Sequence, residues 1–310
     1  MKQVILGSTK QSVSEICLGA MHLGSNTPDE MSLHLLNAFV ERGGTFIDTA
    51  NIYNRDAPNC KGGESEKLIG RWMKERGNRE NLFIATKVGM VYPEQPAGLR
   101  REQIAAECEK SLKRLGVESI DLYYAHADDP DTPLEETMEA FDKLIREGKV
   151  RFIGSSNFWP TRLVEAQWVS QVNGWTKYCC IQQRYSYLRP KPGAEFGVQK
   201  ATNDDLLNYC RREKFPLVGY APLLKGSVAG RKDKEVNKPY RGEDSVARLA
   251  LLNQVAAELG ATQAQVVLSW MRHRDLTVIP LIGVSNLEQL EDNLGAVDLA
   301  LNEETMNRLG

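Results

Sequence analysis

Short apolar runs recur along the chain and alternate with stretches whose apolar residues follow helical spacing. The runs predict strands at Glu15–Gly19, Thr45–Asp48, Leu82–Lys87, Ile120–His126, Arg151–Gly154, Cys179–Gln182, Pro216–Tyr220 and Thr277–Pro280. A parallel strand buried on both faces reads as a nearly unbroken apolar run. Strands alternating with helices imply a parallel sheet with the helices outside it. Eight such units in 310 residues predict an α/β fold, a (β/α)8 barrel forming a single domain over residues 1–310.

Ahead of the first unit, Val4-Ile5-Leu6 and Val13 flank Gly7-Ser8-Thr9-Lys10, which reads as a small hairpin able to cover the bottom of a barrel. One helix is legible in detail. Thr132-Pro133-Leu134-Glu135 reads as a capping box, and Leu134, Met138, Phe141, Leu144 and Ile145 share a face. Gly148 supplies the stop. Ser285-Asn286-Leu287-Glu288 reads as a second capping box. Two stretches, Asn54–Gly63 and Lys225–Asp244, predict long loops.

Composition narrows the function classes. A net charge of −2 leaves no electrostatic footprint for nucleic acid or an anionic membrane, and neither partner is expected. No run approaches the length of a membrane span and none resembles a signal peptide, so a cytoplasmic protein is expected. The cysteines Cys17, Cys60, Cys108, Cys179, Cys180 and Cys210 form no C-x-x-C pair and read as reduced, mostly buried thiols. Oligomeric state is not legible.

Three of the runs deliver proton-handling groups at or just past their C-terminal ends. Phe46-Ile47-Asp48 yields Asp48 and then Tyr53, Leu82-Phe83-Ile84-Ala85-Thr86 ends on Lys87, and Ile120-Asp121-Leu122-Tyr123-Tyr124-Ala125 ends on His126. Catalytic residues of barrel enzymes sit at this end of several strands. A nearby ammonium lowers the pKa of a phenol, an aspartate holds the lysine in place, and a neutral imidazole can orient a carbonyl oxygen. Together these groups can protonate a carbonyl oxygen. None can supply electrons, so a hydride donor is required.

The chain resembles the aldo-keto reductases over essentially its full length. The matching motifs are Ile16-Cys17-Leu18-Gly19-Ala20-Met21, Phe46-Ile47-Asp48-Thr49-Ala50-Asn51-Ile52-Tyr53, Ala85-Thr86-Lys87, Asp121-Leu122-Tyr123-Tyr124-Ala125-His126 and Gly148-Lys149-Val150-Arg151-Phe152-Ile153-Gly154-Ser155-Ser156-Asn157. Gln182-Gln183-Arg184-Tyr185-Ser186, Gly219-Tyr220-Ala221-Pro222-Leu223 and Gln289-Leu290-Glu291-Asp292-Asn293 follow in order.

The resemblance implies NAD(P)H-dependent reduction of aldehydes or ketones, reversible as alcohol oxidation. Tyr53 would be the general acid, Asp48 and Lys87 would tune it, and His126 would position the carbonyl. Ser156, Asn157 and Gln182 would hold the nicotinamide carboxamide and Tyr220 would stack on the ring. Asp48, Ala20 and Met21 would lie against the cofactor, and Ala221, Pro222 and Leu223 would meet its pyrophosphate. Gly283, Ser285, Gln289 and Asn293 would surround the adenosine. Trp159 would join Tyr53 and His126 around the substrate, a small carbonyl or alcohol. NADPH is the expected cofactor. Gln289 and Gly283-Val284-Ser285 stand where basic residues often meet its 2′-phosphate, which leaves NADH possible.

Taken singly, these residues have ordinary readings. An isolated Asp48 is a strand-end cap, Lys87 a solvated lysine and Tyr53 a packed aromatic; their ordered recurrence with His126 favours chemistry. His22, His34 and His273 read as surface or packing residues, with His22 close enough to the first strand to reach substrate. No metal ligand set is expected. The alternative class is a nicotinamide-binding, redox-sensing regulatory subunit with little turnover, like the auxiliary subunits of potassium channels. The first strand motif at Glu15 disfavours it, because such subunits carry an extra N-terminal segment. The chain's end soon after Leu309 also implies no long C-terminal substrate loop.

Overall fold

Eight parallel strands close into a barrel in the computed structural model, which describes residues 1–93, 95–230 and 235–310. An antiparallel pair, β1 (Gln3–Ile5) and β2 (Ser12–Ser14), precedes them, paired through Val4 and Val13. The barrel then runs through β3 (Cys17–Gly19), α1 (Asp29–Glu41), β4 (Phe46–Asp48), α2 (Glu64–Arg76), β5 (Phe83–Val88), α3 (Arg101–Leu115), β6 (Ile120–Ala125) and α4 (Leu134–Arg146). It continues with β7 (Val150–Ser156), α5 (Pro160–Asn173), β8 (Ile181–Arg184), α6 (Asp204–Arg212), β9 (Leu217–Tyr220), α7 (Glu243–Leu259), α8 (Gln263–Arg272) and β10 (Val278–Ile282). After β10 come α9 (Leu287–Leu294) and α10 (Glu303–Leu309). Each strand pairs with its sequence neighbours, and β10 closes the ring on β3, with Leu281 opposite Cys17. This is the expected (β/α)8 barrel.

Strand bounds differ from the sequence reading by a residue or two. The largest shift is at β8, which starts after Cys179 and Cys180, so these buried cysteines lead into the strand. The expected Thr132 capping box does not form. Thr132 Oγ1 donates instead to Asp129 Oδ2 at 2.6 Å, and Pro133 stands at the cap of α4 with no side-chain bond. The apolar face of that helix is as expected, with Leu134, Met138, Phe141 and Leu144 buried. At α9 the cap is Asn286, which accepts from the Gln289 N–H, rather than Ser285. The predicted Lys225–Asp244 loop holds short helical turns at Leu224–Gly226 and Lys238–Tyr240, and its residues 231–234 lie outside the described residues.

Strand alternation sorts the core into two layers. Ile47, Ile84, Tyr123 and Ile153 face the helices, while Phe46, Phe83, Leu122 and Tyr124 face the barrel axis. Leu6 and Val13 from the β1–β2 pair pack into that inner cluster and close its lower end. Phe46 and Phe83 meet edge to face there, 5.2 Å between ring centroids. Further along the same strands the inward positions become polar: Asp48 one inward position past Phe46 on β4, and Lys87 two past Phe83 on β5, after Ala85. The interior is therefore apolar below and ionic at the top.

The helical shell is tight where α2 crosses α3. A Cβ added to Gly70 would stand 2.5 Å from the Arg114 carbonyl oxygen and 2.6 Å from that of Leu115. Backbone atoms cannot swing aside, so Gly70→Ala must separate the helices. We expect it to cost about 1–3 kcal/mol, the usual range for overpacking, measured as a lowered urea midpoint at unchanged slope. A wild-type midpoint would show that the helices part without strain.

Candidate active site

Four of the sequence-predicted residues meet at the upper mouth of the barrel. Lys87 is fully buried, and its Nζ donates to Asp48 Oδ1, to the Thr49 carbonyl at 2.7 Å and to Tyr53 Oη at 2.9 Å. All three ammonium protons thus have acceptors. Asp48 Oδ2 accepts from Gln182 Nε2 at 2.7 Å across the barrel. Tyr53 and His126 face each other at 6.0 Å between ring centroids, nearly perpendicular. The His126 N–H donates to the Val88 carbonyl at 2.8 Å, which fixes the residue just past the end of β6.

Burial and charge set the protonation states. Burial penalises the Lys87 ammonium, but Asp48 and the Tyr53 oxygen outweigh it and the lysine is held charged. Burial pushes the Asp48 carboxyl up, and Lys87, Gln182 and Tyr53 pull it back only in part. His126 is pushed well below the usual imidazole range by burial, with Lys87 and Arg55 adding to the effect, so its ring is neutral. Its Nδ1 is buried without a partner in the protein. Tyr53 departs from the sequence expectation. Lys87 does lower its pKa, but burial and the Asp48 charge prevail and the phenol is pushed up to about 12. In this state it is a held proton rather than a phenolate.

The remaining predicted positions lie at the ends of other strands, in the loops that follow them, and on α9. Ser156 ends β7, and Asn157, the next residue, sits at a left-handed φ of 58°. Its Nδ2 donates to the His126 carbonyl at 2.8 Å and to Ser156 Oγ at 3.1 Å, and its Oδ1 accepts from Tyr220 Oη at 2.8 Å and the Lys200 N–H at 3.1 Å. The amide is thus fully engaged within the protein, and Gln182 holds Asp48. Both act here as struts, a role the sequence reading did not give them. Ala20 is buried, donating to the Asp48 carbonyl at 2.8 Å, whereas Met21 is exposed. His22, His34 and His273 are all exposed. Trp159 is 49% exposed beside the mouth, and Lys200 Nζ stands 5.0 Å from its ring centroid.

Beyond Tyr220 the backbone turns sharply, with positive φ at Ala221, Leu224, Lys225 and Gly226. A cavity of about 290 Å³ opens beside this turn, lined by Ala221, Leu224, Arg184, Lys225, Lys238 and Phe196 among others. Pro222 is buried there and Leu223 half-buried. Gly283 lies open on the rim, Ser285 N and Oγ both reach Gln289 Oε1 (3.0 and 3.1 Å), and Asn293 is buried on α9. Three cations at the cavity were not assigned roles from sequence. Arg184 lay within a quoted motif, but nothing in the pattern showed that residues 185–203 loop back to pair Ala201 with it. Among the described residues no acidic, histidine or cysteine cluster could hold a metal, and no helix is long and apolar enough to cross a membrane.

Comparison with known proteins agrees with the barrel fold. The profile of the Aldo/keto reductase family matches residues 15–310. An uncharacterized oxidoreductase, YrpG, of Bacillus subtilis is 32% identical, over all of this chain and 95% of that protein. Norsolorinic acid reductase stcV of Emericella nidulans is 31% identical, over 94% of this chain and 76% of its own length. The crystal structure of a thermostable aldo-keto reductase, Tm1743, in complex with the inhibitor epalrestat superposes with a TM-score of 0.79 at 30% identity, covering 100% of this chain and 98% of that one. With a barrel of matching shape and a family match spanning nearly every residue, the chain is a member of the aldo-keto reductase family.

Proposed function

We propose that this protein, acting as a single domain over residues 1–310, reduces aldehydes or ketones to alcohols with NADPH or NADH, reversibly. The observation that carries the reading is the contact of Tyr53 Oη with Lys87 Nζ at 2.9 Å, opposite a neutral His126. Reduced nicotinamide, when bound, supplies the hydride. Tyr53 then gives its proton to the carbonyl oxygen as charge develops there, and Lys87 stabilises the phenolate left behind. Asp48 keeps the lysine charged and aimed. His126, unprotonated, directs the carbonyl oxygen toward the phenol without competing as an acid.

The dinucleotide fits the residues present. Tyr220 offers a half-buried ring held by Asn157. The positive-φ turn at Ala221 to Gly226 opens on a cavity where Arg184, Lys225 and Lys238 can meet a pyrophosphate. Ser156, Gln182 and Asn157 would take the carboxamide, with Asn157 giving up one of its present bonds. Ser285, Gln289 and Asn293 offer uncharged partners to the adenosine end, which suits either cofactor. Trp159 would wall the substrate pocket, and a cytoplasmic location suits the free cysteines.

Tyr53→Phe is expected to lower carbonyl turnover by about 10²–10⁴-fold, the usual contribution of a general acid, with quenching of reduced-nicotinamide fluorescence unchanged. Wild-type turnover in that variant removes the assignment. Lys87→Met strips Asp48 of its buried counter-charge, and we expect about 3–5 kcal/mol of lost stability along with lost turnover. The double variant Lys87→Met/Asp48→Asn regains stability in denaturant unfolding without regaining activity. Equal stability of the single and double variants would show that the pair does not depend on mutual charge.

A further inference from the structure

One buried carboxylate outside the mouth has no place in the chemistry above. Glu107, on the inner side of α3, is 1% exposed. Its Oε2 accepts from Asn51 Nδ2 at 2.7 Å and from Tyr92 Oη at 2.7 Å, while Lys110 donates to Oε1 at 2.7 Å. Asn51 stands two residues before Tyr53 in the loop after β4. Tyr92 belongs to the loop after β5. A single oxygen therefore ties together two loops of the rim. The hydrogen bonds from Lys110, Tyr92 and Asn51 outweigh burial and hold this carboxyl below its ordinary value, so it is ionised.

The two loops touch again on the far side of Tyr53. Arg55, two residues after it, donates to the Val91 carbonyl. Gly62 backs the same junction, since a Cβ there would lie 3.0 Å from the Asn51 carbonyl oxygen and 3.3 Å from the Tyr92 ring. The segment carrying the phenol is thus held on both flanks by the loop after β5, and Glu107 anchors one flank to the helical shell. We infer that Glu107 is a positioning residue for Tyr53, acting through Asn51 and Tyr92 to keep the phenol within reach of Lys87. Charge-assisted bonds suit this task, being shorter and stronger than neutral ones. A displacement of about 1 Å at a reacting group can cost on the order of 10²-fold in rate.

This inference rests on Tyr53 being the acid, and the test separates the two. Glu107→Ala, Glu107→Gln and Tyr92→Phe are compared with wild type and Tyr53→Phe for kcat, KM, reduced-nicotinamide binding and amide hydrogen exchange over residues 50–63. Glu107→Ala is expected to lower kcat by about 10- to 100-fold while cofactor binding stays at the wild-type level and exchange over 50–63 quickens. In alcohol oxidation, which needs the phenolate, its acidic limb moves to higher pH because Lys87 is farther from the phenol. Glu107→Gln, still an acceptor, recovers most of the rate. Tyr92→Phe keeps its ring, folds readily and shows the same changes in smaller measure, so it decides the matter should Glu107→Ala not fold. Faster exchange with unchanged kcat and pH limb overturns the inference, because the tie would then be structural alone. Undiminished turnover in Tyr53→Phe would sink the assigned acid, while the exchange rates would still report whether Glu107 holds the loop.

Discussion

An ammonium group fully removed from water is the condition around which the upper half of this barrel is arranged. Lys87 can stay charged at that depth only because three acceptors converge on it from β4 and the loop that follows. Asp48 can balance it only because Gln182 satisfies the second carboxylate oxygen from the opposite wall. The same charge acts on the two remaining groups in opposite senses. It draws the Tyr53 phenol down against burial and drives the His126 imidazole further from protonation. One cation thereby acts in opposite senses on a phenol and on an imidazole whose ring centroids are only 6.0 Å apart.

Keeping that charge dry requires the rest of the interior. Below it, aromatic and aliphatic side chains from the strands fill the axis, and Leu6 and Val13 close the bottom. On the outward face of β5, the residue beside the lysine is paired as well. Thr86, next to Lys87, donates to Glu66 of α2 at 2.6 Å, and Glu66 in turn takes Arg114 of α3 at 2.5 Å. The strand that carries the lysine is pinned to the shell on its other face.

Much of this was legible in the chain, and the reason is periodicity. Buried parallel strands give unbroken apolar runs, and a charged residue ending such a run, as Lys87 does, conflicts with its surroundings unless it has partners nearby. The order of Asp48, Tyr53, Lys87 and His126 followed from those run ends. What escaped the reading depends on contacts between residues distant in sequence. Thr132 has the residue types of a capping box, yet Asp129 captures its hydroxyl. The sign of Lys87's influence on Tyr53 was foreseeable, but its defeat by burial was not, because depth is a property of the closed barrel. Asn157 and Gln182 also brace the site, a second role that stays hidden in the sequence because single residues do not disclose how many of their hydrogen-bonding capacities are already spent. The loop bearing Arg184's partner Ala201 carries no periodic signal at all.

That loop has a neighbour it cannot ignore. Lys191 N–H donates to the Pro239 carbonyl at 2.8 Å, and Phe196 packs against Tyr240 with 5.7 Å between ring centroids. The segment after β8 and the segment after β9 are therefore stitched into a single flap of wall over one side of the opening. Grafting either segment alone from a relative would leave its seam with the other unmatched, so the two can be replaced only as a pair.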